Sequence, residues 1–450
     1  MKALIARIKQ FLSQDRVLSR VLKNTGYLFS ATSIGLLLSL VQSIFAARLL
    51  GVAAFGLIGI ITTFVSNVSR LFSFRMGEFI VRYLGKELNG ENRARAGAVV
   101  KVALLIEGVT SLVAFGVLLL LAPLGAKYIA KDLQTLPLIQ LFAISILAKM
   151  FSETSTGILQ ITNHFRALAF INLGQSLITA LLILLAFILK GNIVFVLMAY
   201  LVGKIILGVG PFILSLYYLP RHLDRGWWKM PLSTLPPFKE IASYTISTNL
   251  SGTVKMVASE SEPLLVGYFL DQQAVGLYKL ALSIVNPLMM PITPFISTTF
   301  PEMTRSIVTK AWGQLRKLLR RVTLISAGWT GLVMLVMLVL GKWLIKLFYG
   351  SEFVPAYPLT MLLLAGFGVA NVFFWNRSLL LSFGKANIPL LVLLAAAVVK
   401  TGLAFWVVPR LGGIGEGLLL TGYLVISTGI LVLLGLRMIK TGELEQTDNG

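Results

Sequence analysis

Twelve predominantly apolar stretches run along the chain, at approximately 26–49, 52–74, 98–121, 135–158, 167–189, 192–218, 241–269, 274–298, 322–345, 355–382, 387–409 and 414–438. About 20 apolar residues in a helix cover the hydrocarbon core of a bilayer, so each stretch predicts one crossing. The pattern therefore predicts an all-α polytopic membrane protein with 12 transmembrane helices. The seventh stretch is the longest and most polar, which predicts a tilt or a break. The eighth carries Pro287, Pro291 and Pro294, which predict a kink.

Residues 219–240, with Trp227, Trp228, Pro231, Pro236 and Pro237, read as a linker between two halves. The halves share anchors at a near-constant offset. Gly56 falls over Gly276 at 220, Pro137 and Leu138 over Pro358 and Leu359 at 221, and Arg166 and Ala167 over Lys385 and Ala386 at 219. Each match is weak alone, but all three keep their order among six helices and predict a duplication. Six crossings return the chain to the side it started from, so the repeat is parallel, with its axis along the membrane normal. The expected organisation is an interfacial or cytoplasmic segment 1–25, an N-lobe 26–218, the linker 219–240, a C-lobe 241–438 and a cytoplasmic tail 439–450, of which 441–450 is expected to lack fixed structure.

Composition supports this reading: 56% of the 450 residues are hydrophobic and 13% charged, against about 25% charged in soluble chains. The net charge of +22 would suggest nucleic acid in a soluble protein. Binding DNA or RNA, however, needs a hydrated basic surface, and apolar runs dominate here. The cations are unevenly placed, with 25 Lys and Arg on the side of the N-terminus and six on the opposite side: Lys127, Lys131, Lys190, Lys342, Lys346 and Arg410. By the positive-inside rule both termini are cytoplasmic. Residues 1–23 place Ile5, Ile8, Leu12 and Val21 among basic residues, which fits either a helix on an anionic leaflet or a solvated basic tail. The run that starts near Gly26 is preceded by no small-residue cleavage pattern, and is expected to be retained. With no Cys, and with His164 and His222 far apart, neither disulfides nor a metal centre are expected.

Nine cations remain inside or at the edges of crossings: Arg48, Arg70, Lys101, Lys149, Lys204, Lys255, Lys279, Arg377 and Lys400. A central Lys or Arg costs roughly 2.5–3.5 kcal/mol on insertion scales, so most should face water or a partner. Arg48, Arg70, Lys101 and Lys279 lie near helix ends, where they can also snorkel. Lys149 and Glu153 are four residues apart and could neutralise each other on one helix face. The intramembrane acids are Glu107, Glu153, Glu260 and Glu262, with Glu416 near an outer edge. Thr248, Ser251, Lys255, Ser259 and Glu262 form a polar stripe on the seventh helix. At the 220 offset the first helix carries Thr32, Gly35, Ser39 and Gln42. Both stripes are expected to line a cavity between the lobes, the alternative being polar glue between packed helices. Glu260 and Glu262 are two apart and point to different faces, which argues against a paired-carboxylate catalytic site.

The stretches Arg48-Leu49-Leu50-Gly51 to Phe55-Gly56-Leu57, Leu264-Leu265-Val266-Gly267 to Val275-Gly276-Leu277-Tyr278, and Val408-Pro409-Arg410-Leu411-Gly412-Gly413-Ile414-Gly415 resemble the polysaccharide transporter branch of the multidrug/oligosaccharidyl-lipid/polysaccharide exporter superfamily, the Wzx-type flippases. The resemblance covers essentially the whole chain. It implies a V-shaped bundle around a central cavity in the bacterial inner membrane, moving an undecaprenyl-pyrophosphate-linked oligosaccharide outward by alternating access. Its partners would be that anionic lipid-linked cargo, membrane lipids, a polysaccharide polymerase and other assembly proteins.

An anionic head would be held by charge-assisted hydrogen bonds. The candidate contacts are Lys204, Lys255, Arg377, Lys400 and Lys149, with Arg48 and Arg70 as portal cations. Glu107, Glu153, Glu260 and Glu262 are candidates for coupling to H+ or Na+, with no other cofactor expected. The competing functions are a multidrug exporter, which would want an acidic cavity, and a membrane polymerase or ligase, which would want a catalytic platform outside the bilayer.

Overall fold

The structure, a computed structural model, describes residues 16–89, 93–221, 223, 226–230, 249, 253–254, 256–385 and 387–448. Side chains up to residue 32 lie outside that description. The first two crossings form one hydrogen-bonded run, α1 (Arg16–Leu71), bent at Gly51 (φ 72°, ψ 177°). Straight, its 56 residues would span about 84 Å, against a hydrocarbon core of roughly 30 Å. The corner resolves that mismatch, and its positive φ is one that glycine adopts without strain.

α2 (Met76–Asn89) and α3 (Arg93–Leu124) follow. The fourth crossing is divided into α4 (Leu136–Ala148) and α5 (Ser152–Ile161), and α6 (Phe165–Ile188) and α7 (Ile193–Tyr218) complete the N-lobe. In the C-lobe the seventh crossing ends in α8 (Glu262–Phe269). The eighth is α9 (Gln272–Met289), continued past a 3-10 turn at Met290–Ile292 by α10 (Thr293–Val308). Then come α11 (Trp312–Phe348), α12 (Tyr357–Val372) and α13 (Asn376–Ser382). The last two crossings are α14 (Asn387–Asp448), bent at Gly412 (φ 65°).

Among the described residues nine helical segments are long and apolar enough to cross a membrane. Two of them, in α1 and α14, hold a pair of crossings each, and the partly described seventh crossing completes the twelve. The repeat is visible in the irregularities. α1 and α9 are each followed by an interruption and a further helix, α2 or α10, and the fourth and tenth crossings are broken at 149–151 and 373–375. The eighth crossing, expected to kink at its prolines, changes to a 3-10 turn at Met290–Ile292, around Pro291.

Three expectations need correction. The amphipathic α2 lies in what reads as a basic loop. Met76, Phe79, Ile80, Tyr83 and Leu84 follow the helical i, i+3, i+4 rule. They pack on Val99 and Ala103 of α3, with Leu219, Leu223 and Trp227 of the inter-lobe linker closing the cluster. α11 begins ten residues before the expected 322, taking Arg316, Lys317, Arg320 and Arg321 into its first turns. The expected unstructured tail is helical through Asp448, where Glu443 pairs with Arg316. Residues 1–15, most of 219–240 and the last two residues lie outside the described set.

The lobes meet tightly at the cation-poor end. A Cβ on Gly56 would collide with the Gln272 carbonyl and come within 2.6 Å of the Gly276 nitrogen, and one on Gly276 would strike the Val52 carbonyl. Around this pair, Ser43 Oγ and Tyr349 Oη are 2.9 Å apart, and Gln272 Nε2 donates to the Ala130 carbonyl at 2.9 Å. Lys131 donates to the Leu270 carbonyl, and the Phe55 and Phe353 rings meet edge-on at 6.1 Å. The main apolar core runs through this seam from α1 into α9 and α12.

Replacing Gly276 with valine forces a side chain into a backbone contact, and is expected to cost roughly 1–3 kcal/mol. Gly116→Val, at a position with open space around it, is the reference. Unfolding of the two purified variants in detergent should show the loss for Gly276→Val alone.

Candidate functional site: a polar, charge-lined cavity in the N-lobe

Two helix interruptions build the site. α1 ends at Leu71, and the chain turns through Arg75, in a left-handed conformation (φ 49°), before α2. α4 ends at Ala148, with Lys149 as its C-cap, and the crossing restarts as α5 at Ser152. α2 and α5 pack closely, since a Cβ on Gly157 would lie 2.8 Å from the Gly77 carbonyl oxygen. Ser73 Oγ donates to Glu153 Oε1 at 2.7 Å, joining the two interruptions.

Between them lies a cavity of about 640 Å³, walled by the N-lobe and by Asn249 and Glu260 of the seventh crossing. Arg70, Arg75 and Lys149 supply positive charge, and Ser152, Thr156, Gln160 and Asn172 supply hydroxyls and amides. The lining carboxylates are committed. Glu78 pairs with Arg75 at 2.9 Å, Glu153 accepts from Ser73, and Glu260 pairs with Arg70 across the lobes. The break in the fourth crossing removes the i,i+4 register that would pair Lys149 with Glu153. Lys149 is exposed into the cavity, and no carboxylate lies within 4 Å of it among the described residues. Lys204, half-buried on α7 one turn from the lining Leu207, is within electrostatic reach of Lys149 and Arg70.

Glu107 has a structural task. Its carboxylate reaches from α3 to accept hydrogen bonds from the Glu153 and Thr154 backbone N–H groups at 2.8 and 2.9 Å. These are first-turn donors of α5, which have no partner within the helix.

The remaining expected residues are dispersed. Arg48 lies at the cation-poor end, donating to the Phe348 carbonyl at 2.7 Å and to that of Leu347, the last carbonyls of α11. Its charge complements that helix terminus, so it clasps the seam. Arg377 is exposed on α13, away from the cavity. Gln42 donates to the Ser176 carbonyl at 2.9 Å, joining α1 to α6 inside the N-lobe; at this position the polar stripe is glue between helices, not cavity lining. Ser39 is exposed and Ser259 half-buried. Thr248, Ser251 and Lys255, and the side chain of Thr32, lie outside the described residues.

Lys400 does not line the N-lobe cavity. It is buried in the C-lobe between Glu262 of α8 at 2.7 Å and Glu416 of α14 at 3.0 Å, and also donates to the Ala258 carbonyl at 3.2 Å. In the sequence Glu416, one turn beyond Gly412, reads as lying near an outer edge and is not among the candidate site residues. The available signal was that it is the only acid in the last crossing, where an ionisable residue is a functional candidate by default.

Fold and cavity define a two-lobe, all-helical membrane protein of the twelve-crossing type. A family model described as polysaccharide biosynthesis protein matches residues 21–307, and the chain belongs to that family. It is similar to the inner membrane protein YghQ of Escherichia coli strain K12, with 24% identity over 349 residues, covering 77% of this chain and 97% of the relative. A multidrug resistance MATE family transporter of the MOP superfamily, in an inward-facing conformation, superposes with a TM-score of 0.71 at 14% identity. That match covers 91% of this chain and 95% of the other. The lipid II flippase MurJ in an inward closed conformation superposes equally, at 0.71 with 15% identity, over 93% and 91% of the two chains.

Removing the carboxylate in Glu107→Ala leaves two α5 donors without a partner and is expected to cost about 2 kcal/mol. Glu107→Gln keeps one acceptor and should lose less. Denaturant unfolding of both variants in detergent checks the order.

Proposed function

We propose that this chain is a non-enzymatic flippase that carries an undecaprenyl-pyrophosphate-linked oligosaccharide across the bacterial inner membrane by alternating access, driven by H+ or Na+. The cargo would be a repeat unit of O-antigen, capsule or exopolysaccharide. The observation that carries the proposal is the N-lobe cavity, in which Lys149, Arg70 and Arg75 stand among serine, threonine, glutamine and asparagine side chains. A pyrophosphate is matched by the cations through charge-assisted hydrogen bonds, and sugar hydroxyls by the neutral polar groups. A cavity of about 640 Å³ falls within the usual range for small-ligand sites.

The excess of Lys and Arg around the open end supports a cytoplasmic placement of that end, and of both termini with it. The closed glycine seam then faces outward, and the described state is the one that loads cargo from the inner leaflet. A multidrug exporter for cationic drugs would need free carboxylates in the cavity. Here Glu78 and Glu260 are paired with Arg75 and Arg70 and Glu153 accepts from Ser73, so that among the described residues Lys149 is the lining charge with no carboxylate within 4 Å, which supports the anionic cargo.

Each lost contact to a charged group is worth about 1.5–3 kcal/mol. Lys149→Ala and Arg70→Ala are therefore expected to lower surface polysaccharide at least about tenfold at equal expression, with Lys149→Arg retaining most of it. Parental polysaccharide from both alanine variants would sink the proposal. So would drug resistance on overexpression with no effect on polysaccharide.

A further inference from the structure

The C-lobe holds two carboxylates against one ammonium. Glu262 and Glu416 are both 0% exposed and Lys400 is 3% exposed, so with both acids ionised the triad is a buried net negative charge. Such a charge is very costly away from water. The hydrogen bonding leaves room for a proton. Among the described residues Glu262 Oε2, Glu416 Oε2 and the buried Tyr278 hydroxyl have no hydrogen-bond partner, and Glu416 Oε1 meets only Lys400 Nζ at 3.0 Å. That hydroxyl is within electrostatic reach of both carboxylates. The titratable groups facing the acid pair are Lys400 and Tyr423 from α14 and Tyr278 from α9, while α1 presents Asn67 and Arg70 to the adjoining turn.

That turn joins two sites. The seventh crossing breaks at 260–262, and three successive side chains leave it in different directions. Glu260 pairs with Arg70 of the N-lobe, Ser261 Oγ accepts from Asn67 Nδ2 at 2.9 Å, and Glu262 turns into the C-lobe to meet Lys400. The same three residues thus touch the mouth of the cargo cavity and the buried triad.

We infer that the Glu262–Glu416 pair holds one exchangeable proton beside Lys400, and that the break at 260–262 links this proton to Arg70 at the cargo cavity. The link to cargo rests on the flippase reading, whereas the proton site does not. A proton suits the site better than Na+, because Lys400 Nζ already occupies the cation position between the carboxylates and would repel a second one. With one carboxyl protonated the triad is neutral and is stable when sealed, as it is in this state. Loss of the proton leaves a net charge that only water can stabilise, so deprotonation favours a state in which the break has moved. Glu260 then withdraws from Arg70.

The absence of native cysteine permits a direct test without cargo. Spin labels on Lys86→Cys of α2 and on Lys310→Cys, both exposed at the cation-rich end, report the separation of the lobes in the full-length protein in liposomes. Acid pH should favour the wide separation and alkaline pH the narrow one, with the population ratio changing at least about threefold, a shift of roughly 0.7 kcal/mol. Glu416→Gln should hold the wide form at both pH values, and Glu262→Gln is the second variant should the first not assemble. A pH-independent distance in the parent, or a pH response retained in a folded glutamine variant, overturns the inference. Na+ restoring the wide form at alkaline pH also overturns it, in favour of a sodium site. Because no cargo is present, each of these results leaves the flippase reading to the polysaccharide assay.

Discussion

Backbone contact at Gly56 and Gly276 governs the arrangement of the whole molecule. The chain is two similar six-helix halves related by an axis along the membrane normal. Near such an axis equivalent residues approach one another, as in an isologous interface. Without side chains there, α1 and α9 come together until carbonyl oxygens occupy the space a Cβ would need. Small residues serve this purpose widely in membranes, where no hydrophobic force separates helix contact from lipid contact. With the lobes joined at one end, the volume between them lies toward the other, and the cavity forms where the basic loops are.

The second organising feature is that the important helices are interrupted. Backbone groups exposed by a break inside a membrane must be satisfied by protein or by a wet cavity. The fourth crossing meets this condition with Glu107, whose carboxylate takes two amide donors of α5. The break frees Lys149 from a direct pair with Glu153 and gives the cavity a cation with no carboxylate within 4 Å among the described residues. In the seventh crossing the break sends Glu260 and Glu262 to opposite lobes. The spacing argument that separated these two acids onto different faces holds, and their separation is what connects the two lobes.

Much of the fold was legible from particular residues. Pro287 and its neighbours announced the interrupted eighth crossing, and Gly56 over Gly276 announced the repeat and marked the place where the halves touch. α2 was equally legible from its apolar spacing at 76, 79, 80, 83 and 84, but a search tuned to crossings passes over a 14-residue amphipathic helix. The site was less legible. Arg70, Lys149 and Lys204 do converge on one region, while Arg48, Gln42, Glu107 and Lys400 each serve a contact between helices. Nothing in their local sequence distinguishes the two outcomes, since a buried cation paired with an acid on another helix looks the same in sequence as one that waits for an anion.

Length and hydropathy by themselves determined the twelve crossings, the anchors such as Gly56 over Gly276 the parallel duplication, and charge asymmetry which end of the bundle is basic. The bilayer acts on each segment separately through its thickness, and the positive-inside rule on each loop. The partners of the ionisable side chains were decided only by the tertiary structure. Whether Lys400 meets a cargo or meets Glu262 and Glu416 depends on which helices are neighbours and where each one breaks. Those are properties of packing between segments more than a hundred residues apart.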